Sequence, residues 1–282
     1  MRRWIHVAAL CVLGITLAYP VSAQRIAITL DDLPYVPQSR TTPAEGLDLT
    51  RNVTAALGRH SITATGFAVG QQVSGETRPA LEAFAAAGHQ IGNHSWSHPD
   101  AGTLSKRQFR KETRKADRAL SPWLTQPKYY RFPFLRRGGT AVKEEMNAKV
   151  LADFGYRNVP VSIDTDDWRF NAAYLDALDA GAIEDASRVA ETYLAHIKER
   201  SVHFAALART EFGRDVDHIL LLHMNRINGD HLGTLLEWYA AQGWSFITVG
   251  TALSDPIYSA QSLYEGPKGI SQIERIIGAP RP

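Results

Sequence analysis

The sequence predicts an α/β fold, a distorted (β/α) barrel of about seven parallel strands in a single domain. Seven short apolar, strand-like runs recur along the chain, and helix-like segments lie between them. This alternation is typical of a parallel sheet covered by helices. Residues 24–282 also form one stretch of ordinary composition, with no repeat and no domain linker. At this length a closed or nearly closed barrel is favoured over an open sheet.

The strand-like runs share a content of branched apolar and aromatic residues, and they cover residues 26–30, 64–69, 90–94, 129–134, 158–163, 219–223 and 245–249. The helix-like segments cover residues 44–59, 77–87, 105–120, 141–154, 185–208 and 230–242. Several of these segments are followed by a glycine, such as Gly88, Gly155 or Gly243, which is typical of a helix end.

Residues 1–23 have the pattern of a signal peptide. Arg2-Arg3 gives a positive start, residues 7–18 form an apolar stretch too short to span a bilayer, and Val21-Ser-Ala23 resembles a cleavage site. We therefore expect cleavage before Gln24 and an exported protein, periplasmic or secreted, with no stable membrane insertion afterwards. An uncleaved membrane anchor is the alternative.

Composition narrows the class of function. The chain carries 31 basic and 29 acidic residues, and removal of Arg2 and Arg3 brings the two counts to 29 each. A chain without net charge has no strong electrostatic attraction to nucleic acid or anionic lipid, so we expect no nucleic-acid partner. The only cysteine, Cys11, lies in the signal segment, so the mature chain would have no disulfide and no thiolate metal ligand. The oligomeric state is not predictable from these features.

The pattern His94-Ser-Trp-Ser-His98 and the acids Asp31 and Asp32 indicate a metal site. We expect the two histidines to lie on one face of a helical turn, where both imidazoles reach one cation, with a carboxylate as third ligand. Two histidines and one carboxylate leave a position open for water, as in catalytic zinc sites. Two unrelated polar histidines are the alternative for this pattern taken alone.

Polar clusters follow five of the predicted strands. In chain order they are Asp31 and Asp32, His94 and His98, Arg131, the acids and tryptophan of residues 164–168, and His223. The carboxyl ends of barrel strands meet at one face, where the active sites of such barrels are built. Five clusters at five strand ends therefore favour one active site over coincidence.

These clusters resemble, in order, the five motifs of the NodB-homology polysaccharide deacetylases, carbohydrate esterase family four: Thr29-Leu-Asp-Asp32, His94-Ser-Trp-Ser-His98, Arg131-Phe-Pro-Phe134, Asp164-Thr-Asp-Asp-Trp168 and Leu220-Leu-Leu-His223. The resemblance covers roughly residues 25–254. It implies that residues 24–282 are a deacetylase catalytic domain that removes N- or O-acetyl groups from sugars with one divalent metal ion. Zinc is the expected ion, with cobalt and manganese as alternatives, and an N-acetylated glycan is the expected partner.

The resemblance also implies which residues hold the metal and begin the reaction. Asp32, His94 and His98 match the metal ligands, and Asp31 matches the general base. Since consecutive side chains of a strand point in opposite directions, we expect Asp31 and Asp32 to serve the ion unequally.

The remaining matched positions complete the expected machinery. Arg131 matches the arginine that orients the base, Asp167 the acid paired with the catalytic groups, and His223 the general acid. The backbone N–H of Phe134 is a candidate oxyanion donor, and Trp168 a candidate apolar wall. The structural alternatives are a tie across the barrel mouth for Arg131, a core position for Trp168, and helix or turn caps for the other acids of residues 164–166.

Three departures concern the substrate. Leu33-Pro34 follows the paired acids where the motif usually has Gly-Pro, and Phe134 replaces the commoner tyrosine. The long stretch 169–217 is expected to form a lid or wall over the site. Three functions therefore stay open: a deacetylase of an N-acetylated glycan, an enzyme with the same fold and metal that cleaves a non-sugar amide, imide or ester, and a carbohydrate-binding protein without catalysis.

Overall fold

The computed structural model describes residues 24–36 and 40–278. The predicted signal segment, residues 1–23, lies outside this range. No helix within the described residues is long and apolar enough to cross a bilayer.

The sheet is parallel and has seven strands in the described part of the chain, as the sequence predicts. Six strands follow the order β5-β4-β3-β2-β1-β6, and β7 pairs with the start of β1. The strands are β1 Arg25–Leu33, β2 Thr65–Ala68, β3 Gln90–Asn93, β4 Lys128–Tyr130, β5 Tyr156–Asn158, β6 Asp217–His223 and β7 Ser245–Phe246.

Helices surround the sheet and form a single domain with it. They are α1 Pro43–Arg59, α2 Arg78–Ala86, α3 Lys106–Leu120, α4 Ala141–Asp153, α5 Asp167–Asp179, α6 Ile183–Phe212, α7 Arg226–Ala241, α8 Val249–Ala252 and α9 Gln272–Ile277. Capping boxes begin α1 at Thr42 and α3 at Ser105, where each hydroxyl accepts a hydrogen bond from the backbone of the third helical residue. Each predicted helix is present, and the segment predicted at 185–208 lies within the longer α6.

The barrel is nearly closed by one stretch of chain that changes partners. Residues 156–158 pair with β4, whereas Ile163, five residues after Asn158, pairs with Leu220 on β6. Ser162 N–H also donates to Ile219 O at 3.0 Å. The run predicted as one strand, 158–163, therefore bridges both edges of the sheet, which explains why the barrel is distorted.

The centre of the sheet places two catalytic candidates side by side. In β1 the apolar side chains of Ile26, Ile28 and Leu30 are fully buried, as expected for a central parallel strand. The register of β1 against β6 aligns Asp31 with His223. Both residues therefore project from the carboxyl end of the barrel.

Candidate active site

Asp32, His94 and His98 form the metal-type cluster that the sequence predicts. Their ligand atoms lie within 4.8 Å of one another, and no other such group of three occurs among residues 24–36 and 40–278. Asp32 Oδ1 is 3.7 Å from His94 Nε2 and 3.4 Å from His98 Nε2. These separations are long for hydrogen bonds, but ligands about 2.0–2.2 Å from a tetrahedral zinc lie roughly 3.4 Å apart.

The cluster fits a cation for two further reasons. Asp32 Oδ1 is buried and has no hydrogen-bond partner, which is costly for a carboxylate oxygen unless a cation binds it. His94 Nδ1 lies 2.9 Å from the carbonyl oxygen of Arg131, which can only accept, so Nδ1 carries the proton. Nε2, which faces Asp32, is then free to bind a metal, and burial lowers the pKa of His94 to about 3, which keeps the ring neutral.

The two histidines are held by a bent loop, so the predicted helical turn is wrong. Ser95 and His98 have φ values of 70° and 58°, in the left-handed region. Asn93 Oδ1 accepts from Ser95 N–H at 2.8 Å, and Ser95 Oγ accepts from His98 N–H at 3.0 Å. Glu112 of α3 also accepts two hydrogen bonds from Ser97 in the same loop, each of 2.9 Å. Local polar contacts therefore replace the helix and bring the imidazoles together.

The paired acids converge instead of pointing apart. Asp31 Oδ2 and Asp32 Oδ1 lie 3.6 and 3.7 Å from the same atom, His94 Nε2. The alternation expected for a strand fails because Asp32 has a φ of 62°, which turns the backbone. Leu33, which follows, is fully buried in the core. The two acids differ in their partners, because only Asp31 contacts Arg131.

Arg131 ties the fourth and first strands together beneath the cluster. Its side chain is fully buried, and Nη1 donates to Asp31 Oδ1 at 2.8 Å and to Thr29 Oγ1 at 2.7 Å. Nε donates to the carbonyl of Val159 at 3.0 Å. Burial raises the pKa of Asp31, and the Arg131 charge partly offsets this. Arg131 therefore holds the Asp31 carboxylate in one orientation and also ties strands together, so its contacts are compatible with both alternatives that the sequence left open.

The buried Asp167 and the partly exposed His223 form a second pair. Asp167 Oδ1 lies 2.6 Å from His223 Nδ1, and Asp167 Oδ2 accepts from the His223 backbone N–H at 2.9 Å. Burial would lower the pKa of His223, but the adjacent Asp167 carboxylate raises it above its ordinary value. Burial would raise the pKa of Asp167, but the His223 charge and the hydrogen bonds hold it below its usual value. Both directions favour a carboxylate on Asp167 and an imidazolium on His223.

Asn225 and Asn228 fix Asp167 from the other side, and the motifs did not indicate them. Their Nδ2 atoms donate to Asp167 Oδ2 at 3.0 and 2.7 Å. Asn225 is also the N-cap of α7, where its Oδ1 accepts from Asn228 N–H, and a polar residue before a helix is the signal that could have found it. The Tyr193 hydroxyl of α6 donates to Asn228 Oδ1. With Oδ2 occupied, Oδ1 of Asp167 is directed at His223.

Asp31, the three residues of the metal-type cluster and His223 open onto one cleft of about 690 Å³. It is lined by Asp31, Asp32, His94, His98 and His223 on the floor, and by Phe134, Trp168, Arg136, Arg169 and Lys268 around them. Phe134 and Trp168 are 53% and 57% exposed, so Trp168 is not a core residue. Phe134 packs its ring edge against His98, with ring centroids 4.5 Å apart. The cleft therefore combines polar groups with two exposed aromatic rings.

The acids that precede Asp167 also lie in this cleft. Burial, together with the nearby Asp166 charge, raises the pKa of Asp164 to about 6. Asp166 occupies the N-cap position of α5, but its side chain makes no capping hydrogen bond. Capping by Asp166, the structural alternative, is therefore not what the structure shows.

The stretch 169–217 does not form the expected lid or wall. Arg169 is its only residue among those that line the cleft. Helix α6 instead supports the site from behind, because Tyr193 contacts Asn228 and Arg200 Nε donates to the carbonyl of Asp164 at 3.2 Å. The helical pattern was correct, but it gave no information on which side of the site the helix packs.

The fold is that of the carbohydrate esterase family four barrels. The structure superposes on the chitin deacetylase of Colletotrichum lindemuthianum with a TM-score of 0.57 and 22% identity, over 83% of this chain and 89% of that one. A family four pseudoenzyme from Bacillus anthracis gives a TM-score of 0.55 at 18% identity, over 83% of this chain and 66% of that one.

The sequence family agrees with the fold. The model of the polysaccharide deacetylase family matches residues 18–159, half of the chain, and the chain belongs to this family. The predicted resemblance is thereby confirmed. A curated relative, the peptidoglycan-N-acetylglucosamine deacetylase of Listeria monocytogenes, is 25% identical over 248 residues, which is 86% of this chain. The chain spans 41% of the length of that relative.

Proposed function

We propose that this protein is a metal-dependent deacetylase that hydrolyses the N-acetyl, or O-acetyl, group of a polysaccharide or oligosaccharide. The observation that carries the proposal is the meeting of two units at one cleft, the Asp32, His94 and His98 cluster and the Asp167–His223 pair, of which His223 lines the cleft. A site that only binds sugar needs no such paired acid and base. The names of the relatives, deacetylases of peptidoglycan and chitin, support the same reaction.

The three ligands would hold one divalent ion, for which we propose zinc, with cobalt or manganese as substitutes. An ion bound there supplies Lewis acidity, which lowers the pKa of water and polarises a carbonyl group. Oxygen and nitrogen ligands of this kind suit all three metals.

Asp31 is the proposed general base. It accepts the proton of the attacking water, and the hydrogen bond from Arg131 keeps its carboxylate directed at the cleft floor. The backbone N–H of Phe134 is the proposed donor to the oxyanion. Phe134 has a φ of 56°, which turns the backbone of its loop at the edge of the cleft.

His223 is the proposed general acid. An amine leaves poorly unless its nitrogen is protonated, so a proton must reach it as the carbon–nitrogen bond breaks. The Asp167 carboxylate holds His223 in its protonated form, with Nδ1 bound and Nε2 available to the cleft. Trp168 is the proposed apolar wall for the acetyl methyl group or a sugar face.

A substrate trial tests this function. The purified protein, loaded with zinc, cobalt or manganese, is incubated with N-acetylglucosamine oligomers, peptidoglycan and small amides, and acetate and free amine are measured. We expect acetate and amine in equal amounts from a glycan. Turnover of small amides alone would support the second enzyme function, and sugar binding without acetate release would support a binding protein.

We further propose that the protein acts outside the cytoplasm, after cleavage of residues 1–23. The support is the N-terminal sequence pattern. The expected mature protein begins at Gln24. Its intact mass, measured after recovery from periplasm or medium, checks this, and a mass that still includes residues 1–23 would contradict it.

A further inference from the structure

We propose that Lys268 is a specificity-determining residue that binds a carboxylate carried by the glycan substrate. This inference rests on the proposed deacetylase function and narrows its substrate class to glycans with an acidic group close to the acetylated sugar. Lys268 lies outside residues 18–159, the part that the family model matches, and outside all five motifs.

The segment that carries Lys268 is firmly attached to the barrel. Residues 270–275 are buried. Gln272 N–H donates to the carbonyl of Val161 at 2.6 Å, and Arg137 Nη2 donates to Gln272 Oε1 at 2.6 Å. The segment is therefore bound where residues 156–163 close the barrel, and next to the loop that follows Arg131.

Gly269 brings this segment against the active-site loop. A Cβ atom at Gly269 would overlap the carbonyl oxygen of Phe134, so only glycine permits this close approach of two backbones. The backbone N–H of Lys268 donates to the Tyr264 hydroxyl at 3.2 Å. These contacts fix the backbone of Lys268 at the edge of the cleft, where Lys268 and Gly269 form part of the lining.

The three cations at the cleft edge differ in whether a carboxylate forms an ion pair with them. Arg136 is 2.9 Å from Asp100, and Arg169 is 3.6 Å from Asp166. Within residues 24–36 and 40–278 no carboxylate forms an ion pair with Lys268. Its ammonium group is thus the cation that an incoming anion can bind without breaking an existing pair.

The surroundings indicate what carries that anion. Phe134 and Trp168 are about half exposed on the same cleft, each with a guanidinium group over its ring, Arg136 over Phe134 and Arg169 over Trp168. The exposed part of such rings can pack against the apolar faces of sugars. A lysine binds a carboxylate as a mobile point charge, which suits an acidic substituent at the edge of a sugar bound by these rings. The catalytic acids do not compete for Lys268, because Arg131 binds Asp31 and the proposed metal binds Asp32.

The test measures the deacetylation of three substrates. They are an oligomer of alternating N-acetylglucosamine and N-acetylmuramic acid with free carboxyl groups, the same oligomer with each carboxyl converted to an uncharged amide, and an oligomer of N-acetylglucosamine. The variants are Lys268→Ala, Lys268→Arg and Lys268→Glu. Lys149→Ala is the matched control. Lys149 lies on α4 and lines no part of the cleft, and its replacement by alanine changes the net charge by the same amount.

We expect the native protein to prefer the acidic oligomer over its amide, by a ratio of kcat/KM on the order of tenfold at low salt. Lys268→Ala should abolish this ratio mainly through a higher KM, Lys268→Arg should keep most of it, and Lys268→Glu should reverse it. The ratio should fall as salt is added, and Lys149→Ala should leave it unchanged.

Equal rates of the native protein on the acidic oligomer and its amide would overturn the proposal. An equal loss on all three substrates in Lys268→Ala would also overturn it, since Lys268 would then act on structure alone. A failure of the deacetylase function itself is distinguishable, because no acetate would be released from any of the three oligomers.

Discussion

Asp31→Asn should lower turnover by about 10²–10⁴-fold while the metal content stays unchanged. This range is the usual contribution of a positioned general base. Asparagine keeps the size of the side chain and an oxygen that can accept from Arg131 Nη1, now 2.8 Å from Asp31 Oδ1, but it cannot take the proton of water. Turnover on an N-acetylated oligomer and metal content per chain are the two measurements.

The buried ion pair requires a control for folding. Asp31→Asn removes the negative partner of the fully buried Arg131, and a buried charge left unpaired costs about 3–5 kcal/mol. The thermal unfolding midpoint, measured with metal bound, separates this loss of stability from loss of the base. A folded, metal-containing Asp31→Asn variant with full activity would contradict the proposed mechanism.

Asp32→Asn is the matched comparison, since it makes the same chemical change one residue later. Asp32 Oδ1 has no hydrogen-bond partner and faces both imidazoles, so this variant should lose metal affinity, and added zinc should restore part of its activity. A metal-free Asp31→Asn beside a fully loaded Asp32→Asn would exchange the two roles.

The barrel and the positions of the clusters were predictable because they depend on local pattern. A continuous apolar run such as 26–30 is typical of a strand buried on both faces, and it forms the centre of the sheet. Polar residues that follow such strands lie at one face of a parallel barrel whatever the details of the loops. Asp31 and His223 therefore lie side by side although four other strands, β2 to β5, lie between β1 and β6 in the chain.

The parts that were predicted wrongly depend on loop conformation and on distant contacts. Asp32, Ser95 and His98 adopt left-handed backbone angles, which residues other than glycine rarely take and which no period in the sequence indicates. The helix that was expected to cover the site contacts it from behind through Tyr193, 35 residues from its partner Asn228. Lys268 reaches the cleft only because residues 270–275 pack into the barrel. Hydrophobic periodicity predicts that a segment is helical, but it does not predict which elements the helix packs against.

His94→Ala should remove both bound metal and activity. His94 is one of the three proposed ligands, its ring is buried, and its Nδ1 donates to the Arg131 carbonyl so that Nε2 faces the cluster. Loss of an outer contact to a metal ligand typically weakens metal affinity 10–100-fold, so loss of the ligand itself should cost at least about 100-fold. Metal content after dialysis and a competition titration against a chelator measure this.

Two further variants separate metal binding from folding in this prediction. His98→Ala removes a proposed ligand that is 24% exposed and whose ring does not contact the Arg131 carbonyl. This variant should lose metal with a smaller effect on the stability of the metal-free protein. His203→Ala on α6 makes the same chemical change away from the cleft and should retain full metal content and activity. Asp32 and a single imidazole are too few ligands to hold the ion. Both variants should therefore lose bound metal and activity. Undiminished metal content in a folded His94→Ala variant would show that the ion binds elsewhere.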